Sequence, residues 1–365
     1  MSRSLQLRCV LLLLPAIVAA QQAIQYRVAR PGYTYVFPRD HGSHPEFKLE
    51  WWYYTGNLRS AEGHEYGYEL TFFRTGMDRS YENASAWNIR DLYMAHFAVT
   101  DITDNKFYYF EKLSRAGPGI AGADVGTLNV WNQNWSARLD RSAMKLVANT
   151  GEAAIELSLE SKKGPVLHGT NGVSQKAEGA GHASHYYSMT RLAANGALRI
   201  GAKTVQVSGE SWMDHEFGTN QLTENQAGWD WFSIQLDNGT DLMLYRLRNR
   251  DGSLDPYSSG TIVEQNSKTQ HLRLAEFTAT PGRQWRSAKT GTSYPIEWTI
   301  VLHGPGTELH MSPLVDNQEL LTTRSTGIAY WEGAIQISGT WEGKPVKGKG
   351  YLELTGYSEQ YRPKI

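Results

Sequence analysis

The sequence predicts an all-β protein made of two antiparallel barrels or sandwiches. The 365-residue chain is rich in residues typical of strands and turns, with 12 Trp, 20 Tyr and 35 Gly. Its apolar runs are short and end at turn residues, as strands do. No long segment repeats apolar residues with the period of a helix, so helices should be few and short. About fourteen strands at this spacing fit two β domains.

The first 20 residues predict a cleaved secretory signal peptide. Arg3 and Arg8 give a basic start, an apolar run follows from Val10 to Ala20, and Val18-Ala19-Ala20 supplies small residues for cleavage. The run is too short to span a bilayer. We therefore expect a periplasmic or secreted protein without a permanent membrane anchor. Cleavage removes Cys9, the one cysteine of the sequence. The mature chain would then form no disulfide and carry out no thiolate chemistry.

Charge and motif content argue against nucleic-acid and nucleotide partners. Removal of the signal peptide leaves 34 basic and 37 acidic residues, a net charge of −3, with no basic run. Nucleic-acid binding normally needs a basic patch. No glycine-rich phosphate loop follows a strand. We expect no nucleic-acid partner and no cofactor.

The first β domain is predicted over residues 24–195. A lead containing Pro31, Pro38 and Pro45 precedes the first strand, and Asn195-Gly196 predicts a hairpin turn at the end of the domain. The candidate strands are Glu50–Gly56, Tyr66–Arg74, Met94–Ile102, Phe107–Leu113, Asn129–Leu139, Ile155–Ser161 and His185–Leu192.

The second β domain is predicted over residues 196–365. Its clearest hairpin turns at Asn238-Gly239, between two apolar runs. The candidate strands are Ala197–Val207, Gly209–Gly218, Trp229–Leu236, Leu242–Arg248, Gly260–Glu264, Leu272–Thr278, Ile296–Leu302, Leu309–Leu314, Tyr330–Ser338 and Gly348–Tyr357.

The segment Gly209–Gly218 carries the strongest chemical signal. In a strand, Trp212, Asp214 and Glu216 share one face, and His215 points to the other. An acid held beside an indole is desolvated, which raises its pKa and keeps a proton available for catalysis. Alternatively, these acids are the charged end of a strand and pair with Arg or Lys in a structural network.

A second motif, His185-Tyr186-Tyr187-Ser188, is the best candidate partner. His185 and Tyr187 are two residues apart and share a face, as Trp212 and Asp214 do. One such pair on each of two neighbouring strands would line a single cavity with an acid, an imidazole and two aromatic rings. The alternative is that Tyr187 belongs to the core and His185 is satisfied by backbone.

Hydrolase and metal signals are weak. Gly209–Met213 lacks the second glycine of a nucleophile elbow, and neither His64-Glu65 nor His215-Glu216 is followed by the second histidine of a zinc motif. Loop histidines are usually solvated or hydrogen-bonded, so we expect no metal. The histidines that would join His215 around a metal are His168, His182 and His185.

Further acidic, basic and aromatic residues are candidates for a substrate pocket. Glu50 and Arg246 have an alternative interpretation as members of buried salt bridges, and an aromatic surplus is more often core than ligand cage. The residues expected at the pocket are Glu216, Glu50, Trp52, Trp229, Trp231, Arg246 and Glu332.

Segments spread in order over the chain carry a family resemblance. They are HPEFKLEWWYYTGNL, MAHFAV, LHGTNGVSQK, HYYSMTRL, SWMDHEFG, GWDWFSIQL, LMLYRLRNRDG, YWEGAIQISG and GKGYLELTGY. Together they closely resemble the carotenoid 1,2-hydratase / AttH-like family, many of whose members are described as secreted hydrolases. The resemblance implies two lipocalin-like β domains with an apolar pocket between or within them. It also implies substrates such as acyclic carotenoids. In distant fungal relatives it implies cycloaddition reactions of polyketides.

The resemblance also implies catalytic roles. The residues regarded as catalytic in the hydratases form a His-x-Trp pair and a Tyr-x-Asp pair, which match His185 with Tyr187 and Trp212 with Asp214. The acid and the imidazole are kept, whereas both aromatic partners differ. By this resemblance Asp214 protonates an alkene, the rings of Trp212 and Tyr187 stabilise the cation, and His185 takes a proton from the attacking water.

Three functions remain open at this stage. The first is an exported hydro-lyase that hydrates an apolar isoprenoid, lipid or polyketide, with Asp214 as proton donor. The second is a hydrolase of an ester or lipid, and the third is a non-catalytic carrier of the same ligands. Burial of Asp214 would favour the enzyme, and exposure of Asp214 or a bidentate pair with arginine would favour the carrier.

Overall fold

The computed structural model describes residues 26–77, 89–304 and 306–362. Over these ranges the chain forms two nearly closed, antiparallel, barrel-shaped sheets. The helical elements are two single turns of 3₁₀ helix, Arg39–His41 and Leu274–Glu276. The all-β prediction with few, short helices is confirmed. The predicted signal peptide lies outside the described residues.

In the described part of the chain, no helix has the length and apolar character needed to cross a membrane.

The first sheet follows the chain from residue 49 to residue 218. Its strand order is β4-β3-β2-β1-β13-β12-β9-β8-β7-β6-β5, and β10 and β11 pair with β12. The strands are β1 (Leu49–Ser60), β2 (Glu65–Gly76), β3 (Asp91–Asp101), β4 (Lys106–Arg115), β5 (Ala121–Ala123), β6 (Asn129–Asn132), β7 (Trp135–Asp140), β8 (Ala143–Asn149), β9 (Ala153–Ser161), β10 (Val166–Leu167), β11 (Val173–Gln175), β12 (Ala183–Ile200) and β13 (Lys203–Gly218).

The second sheet follows from residue 226 to residue 355. Its order is β17-β16-β15-β14-β25-β24-β22-β21-β18, β23 pairs with β24, and β19 and β20 form a separate ribbon. The strands are β14 (Gln226–Leu236), β15 (Asp241–Asn249), β16 (Ser259–Val263), β17 (Thr269–Arg273), β18 (Phe277–Pro281), β19 (Gln284–Arg286), β20 (Ser293–Pro295), β21 (Trp298–Leu302), β22 (Thr307–Pro313), β23 (Glu319–Leu321), β24 (Ala329–Trp341) and β25 (Lys344–Thr355).

The expected turn at Asn195-Gly196 is wrong. Both residues lie inside β12, where Gly196 pairs with Val207 on one side and Leu157 on the other. A Cβ on Gly196 would lie 2.0 Å from the carbonyl oxygen of Glu156, so this glycine permits close strand packing rather than a turn. The chain instead passes from the first sheet to the second between residues 218 and 226, so the division drawn at 195 falls within the first sheet.

The hairpin predicted at Asn238-Gly239 is confirmed. It joins β14 to β15, and Gly239 has a φ of +82°, a left-handed conformation that glycine adopts readily. The N–H of Gly239 donates to the carbonyl of Leu236 at 3.1 Å.

Strand alternation produces three apolar layers. One face of β1 and β13 fills the first barrel with residues such as Trp52 and Met213. One face of β14 and β24 fills the second barrel with residues such as Phe232. The opposite faces of these strands meet between the sheets in a third cluster that includes Tyr53, Tyr186, Trp212, Trp231, Met243, Tyr245 and Tyr351.

The two sheets approach closely at Gly67 of β2. A Cβ there would lie 2.8 Å from the Cβ of Ala334 and 2.7 Å from the hydroxyl of Tyr351, both on the second sheet. Further along the interface, Asp241 of β15 forms ion pairs with Lys163 at 2.8 Å and with Arg191 at 2.7 Å. Because these contacts join distant parts of the chain, they fix how the residues of the third cluster face one another.

Candidate active site

Asp214 lies at the centre of the layer between the sheets. It is 4% exposed and stands opposite Tyr53 in the pairing of β13 with β1. Three side chains donate to its carboxyl: Trp212 Nε1 to Oδ1 at 2.6 Å, Tyr186 to Oδ2 at 2.7 Å, and Ser188 to Oδ1. Its environment is therefore buried and aromatic, but rich in donors.

Burial raises the pKa of Asp214 from 3.8 to about 7, although the three donors act in the opposite direction. Desolvation disfavours the charged carboxylate, and hydrogen bonds to it favour that form. The balance leaves Asp214 near the midpoint of its titration at neutral pH, which is the condition that suits a general acid.

Glu216 lies on the same strand face but has a different environment. Lys176 is 3.2 Å from its Oε1, and Ser184 donates to the same oxygen. The ammonium of Lys176 also lies over the ring of Tyr245, 4.1 Å from its centroid. Glu216 is therefore paired with a lysine beside Asp214, and charge repulsion from Glu216 adds to burial in raising the pKa of Asp214.

The second sheet supplies the opposite wall. Trp231 Nε1 donates to the Tyr186 hydroxyl at 3.1 Å, and the Trp231 ring packs edge-on against Trp212 at 6.2 Å and Tyr53 at 5.1 Å. Tyr53 in turn donates to Glu332 of β24. Residues of both sheets are thus linked around Asp214.

Three further acids extend this wall away from Asp214: Glu332 and Glu69, which are buried, and Glu353, which is half-buried. Burial raises the pKa of Glu332 well above its ordinary value, and repulsion from Glu69 and Glu353 raises it further. Burial likewise raises the pKa of Glu69 to about 8 and that of Glu353 to about 7. Within the described chain, Glu69 Oε2 has no hydrogen-bond partner. Acids from both sheets therefore hold protons near neutral pH.

The sequence expectation that His185 and Tyr187 share a cavity with Asp214 is wrong. Ser188 is the residue of β12 that pairs with Asp214, so the even-numbered residues of this segment share its face. His185 and Tyr187 point into the first barrel, where the Tyr187 hydroxyl contacts His41 Nδ1 at 2.8 Å and His215 Nδ1 at 3.1 Å.

His185 is also a poor candidate for the base. It packs against Tyr33 at 4.5 Å and Phe217 at 5.1 Å, and burial lowers its pKa to about 4. It borders a cleft of about 680 Å³ at the N-terminal segment. The residues that bind the Asp214 carboxyl do not line this cleft. The cleft and Asp214 are therefore separate places in the molecule.

Three of the expected pocket residues belong to barrel interiors. Glu50 is bound by Arg74 at 3.0 Å inside the first barrel, which supports its alternative interpretation as a structural salt bridge. Trp52 donates to the carbonyl of His41 at 3.0 Å in the same interior. Arg246 lies inside the second barrel, 3.6 Å from Asp230. By contrast, Trp229, Trp231, Glu216 and Glu332 are in the layer between the sheets.

One group of possible metal ligands converges within the described ranges, at His44, Glu50 and His215. The two histidines contact the same Glu50 oxygen directly, at 2.8 and 2.9 Å. Arg74 occupies the other carboxylate oxygen. Since the donor atoms already satisfy one another and a guanidinium is adjacent, this group fits a structural network better than a cation site. It does not contain His168, His182 or His185.

Sequence reasoning missed several residues of the site. Tyr186 and Ser188 stood in a recognised motif, but assignment to the face of Asp214 requires the register of β12 with β13. His168 was considered only as a metal ligand. Glu69 and Glu353 gave no local signal, because their significance depends on the packing of one sheet against the other.

The geometry combines proton donors, indole and phenol rings, and exclusion of solvent. Such a layer can deliver a proton from a desolvated acid and surround a positive charge with aromatic rings. Ser188 lies 2.6 Å from the imidazole of His168, but its hydroxyl donates to Asp214 Oδ1, so its proton is directed to the carboxyl and not to a base that would activate it as a nucleophile.

The model of the AttH-like family matches residues 28–357. An AttH protein of Nitrosomonas europaea is 33% identical, with 91% of this chain and 100% of that chain covered and a TM-score of 0.83. Kievitone hydratase of Nectria haematococca is 17% identical, with 92% and 96% covered and a TM-score of 0.69. CghA is 13% identical, with 87% and 90% covered and a TM-score of 0.53.

No curated protein matches the chain by sequence. The two more distant structures share the fold, and the Nitrosomonas protein shares both the fold and a third of the sequence. With the family model covering nearly the whole described chain, the protein belongs to the AttH-like family.

Proposed function

We propose that this protein hydrates a carbon–carbon double bond in an apolar small molecule held between the two sheets. The observation that carries this proposal is the buried carboxyl of Asp214, whose pKa burial raises to about 7 among Trp212, Trp231 and Tyr186. Protonation of an unactivated alkene requires a desolvated acid, and the cation that follows requires surroundings that do not trap it.

The proposed reaction balances with water as the second substrate. Asp214 transfers its proton to one alkene carbon, and the π electrons form the new C–H bond. The neighbouring carbon becomes cationic and is stabilised by the aromatic residues Trp212 and Trp231. Water forms the C–O bond, and the proton that it loses returns to the Asp214 carboxylate. The base expected at His185 is not needed, because the same carboxyl acts as acid and then as base.

The relatives support the substrate class. Kievitone hydratase is named for hydration of a small molecule, and CghA has been solved with the small molecule Sch210972. We extend this to an isoprenoid or related lipid, because the layer around Asp214 is built mainly from aromatic and aliphatic residues. Export through the signal peptide predicted at residues 1–20 would bring the protein to lipids of the cell envelope.

The test is turnover by the full chain and by Asp214→Asn, with kievitone and an acyclic carotenoid as separate probes. Mass spectrometry would detect gain of one water. We expect the variant to lose activity by a factor of about 100 or more, the contribution of a general acid, while substrate binding is retained. Glu210→Gln is the matched control, since Glu210 lies on the same strand face but is exposed and paired with Arg191.

Two results would contradict the proposal. Unchanged hydration by Asp214→Asn would remove Asp214 from the chemistry. Tight binding of both probes by the wild-type protein without any hydrated product would favour the carrier function instead.

A further inference from the structure

His168 connects Asp214 to the second sheet through a continuous line of hydrogen bonds. Its side chain is 0% exposed, and its Nε2 lies 2.6 Å from the Ser188 hydroxyl, which itself donates to Asp214 Oδ1. On its other side, Nδ1 lies 2.9 Å from the hydroxyl of Thr261 on β16. The His168 backbone N–H donates to the Tyr186 carbonyl at 3.0 Å, which anchors this residue beside β12.

The three hydrogen bonds to Asp214 differ in whether their direction can reverse, so that the donor becomes the acceptor. The Trp212 indole can only donate. The Tyr186 hydroxyl already accepts from the Trp231 indole, so its own proton is directed towards the carboxyl. Ser188 alone faces a group, the imidazole of His168, that can either donate to it or accept from it. When Asp214 gains a proton on Oδ1, Ser188 can accept from it by turning its own hydroxyl proton to His168.

His168 can serve both states while staying neutral. With Asp214 ionised, Nε2–H donates to Ser188, and Nδ1 accepts from Thr261. With Asp214 protonated, Nε2 accepts from Ser188, and Nδ1–H donates to Thr261. Burial lowers the pKa of His168 well below its ordinary value, so the charged imidazolium is avoided in both arrangements.

We propose that Thr261, His168 and Ser188 form a proton relay that exchanges the proton of Asp214 with solvent at the β17 edge of the second sheet. In the inward direction, the Thr261 hydroxyl passes its proton to His168 Nδ1, Nε2 passes its own to Ser188, and Ser188 passes its own to Asp214. Thr261 is itself buried, and it recovers a proton from solvent on the side of His271, its exposed register partner on β17. The relay rests on the function proposed above, and its residues touch no reacting atom, because they act through Asp214.

The outer end of the relay approaches the surface at His271. This histidine is the register partner of Thr261 in the pairing of β16 with β17, and it is exposed. It also lies close enough to His168 to lower the pKa of that ring by charge repulsion, as Lys176 does. The charged and titratable groups that face Asp214 or His168 are Glu216, Glu332, Lys176, Tyr53, Tyr186 and His271.

The relay predicts a tautomer switch that nuclear magnetic resonance can detect. The full chain, labelled with ¹⁵N-histidine, is titrated through the pKa of Asp214, about 7, and the His168 signals are assigned from their loss in His168→Gln. As the pH is lowered, the His168 proton should move from Nε2 to Nδ1 without charging of the ring. The switch should be lost in Asp214→Asn and in Ser188→Ala, and retained in the control His303→Gln, which changes an exposed histidine.

A turnover experiment provides a second readout. In His168→Gln the amide can keep hydrogen bonds to Ser188 and Thr261 but cannot exchange tautomers. Because Asp214 regains its proton from the attacking water in each turnover, we expect hydration itself to continue in His168→Gln, but exchange of the Asp214 proton with solvent to be slower. Protein transferred from H2O to D2O should therefore place less deuterium on the product carbon in its first turnover than wild type does, and added imidazole should restore that deuterium by another route. A structural defect would not be rescued in this way.

A single His168 tautomer throughout the titration in the wild-type protein would overturn the relay. That result is distinguishable from failure of the proposed function: a fixed tautomer with an inactive Asp214→Asn protein removes only the relay. Hydration that persists in Asp214→Asn removes the function, whatever the tautomer does.

Discussion

Burial is the larger effect on the pKa of Asp214, and the hydrogen bond from Trp212 opposes it by stabilising the carboxylate. The indole donates to Oδ1 at 2.6 Å, whereas its ring belongs to the apolar layer between the sheets. One side chain therefore acts on the carboxyl in two opposite ways. Which effect dominates in a variant depends on whether the donor or the ring is removed.

Trp212→Phe removes the donor and keeps most of the ring. Loss of a hydrogen bond to the carboxylate disfavours the ionised form, so the pKa of Asp214 should rise above 7 by about one unit, or roughly 1.4 kcal/mol. Since the protonated acid is the active form, the alkaline limb of the pH–turnover profile should move to higher pH. Trp298→Phe is a control inside the second barrel. An alkaline limb at the wild-type position, or one moved to lower pH, would contradict this role.

At the scale of elements, β13 separates chemistry from structure by alternation. Its even-numbered residues meet the second sheet around Asp214, and His215 on the other face joins Glu50, His44 and Arg74 in a buried network. That network ties the N-terminal segment to the first barrel. Changes on the two faces should therefore have separable consequences.

Glu50→Gln tests this separation. The variant removes Glu50 from the buried Arg74 and leaves Asp91 as the remaining carboxylate partner. Removal of one member of a buried ion pair typically costs about 3–5 kcal/mol. We expect a loss of this size in the free energy of unfolding by urea, with the pKa of Asp214 unchanged. Glu160→Gln, an exposed change on β9, should leave stability within about 0.5 kcal/mol of wild type. A shifted Asp214 titration in Glu50→Gln would show that the two faces are coupled.

Alternation explains what the sequence could and could not predict about these elements. It placed Trp212, Asp214 and Glu216 together and turned His215 away, because both statements concern a single strand. It failed for His185 and Tyr187, because the face that one strand shares with its neighbour depends on register, and a shift of one residue reverses every side chain. The hairpin turn predicted at Gly196 failed for a related reason. Close packing between strands and a tight turn both require glycine, and only the partner strands distinguish the two.

Across the whole molecule, the layer between the sheets contains the polar groups that neither barrel could bury alone. Thr100 donates to Gln318 at 2.7 Å, and His96 contacts the Tyr330 hydroxyl at 2.6 Å across the interface. Both residues of each pair are buried. Association of the sheets therefore desolvates acids such as Glu69 and Glu332, and the raised pKa values are a property of the assembled molecule rather than of any strand.

This arrangement predicts that the protein loses stability as pH rises. A carboxyl with a raised pKa stabilises the folded state fully below its ordinary pKa, and this contribution is lost as pH rises through the folded value, about 8 for Glu69 and about 7 for Glu353. His44, whose pKa hydrogen bonds to Asp40 and Glu50 raise from 6.5 to about 9 against the cost of burial, acts with the same sign. Buried neutral histidines such as His96 act with the opposite sign, but only as pH falls below 6.5.

The measurement is the free energy of unfolding in urea between about pH 6.5 and about pH 9, for wild type and Glu69→Gln. The glutamine keeps an acceptor for Thr71, which donates to Glu69 Oε1 at 2.6 Å, but it cannot ionise. Removal of one titrating group should reduce the downward slope by up to about 1.4 kcal/mol per pH unit, and the exposed change Glu160→Gln should not alter it. Any constant cost of burying the new amide shifts the whole curve and leaves its slope unaffected. Equal slopes in wild type and Glu69→Gln would mean that Glu69 does not titrate in this range, and that the acids between the sheets are not held protonated by their burial.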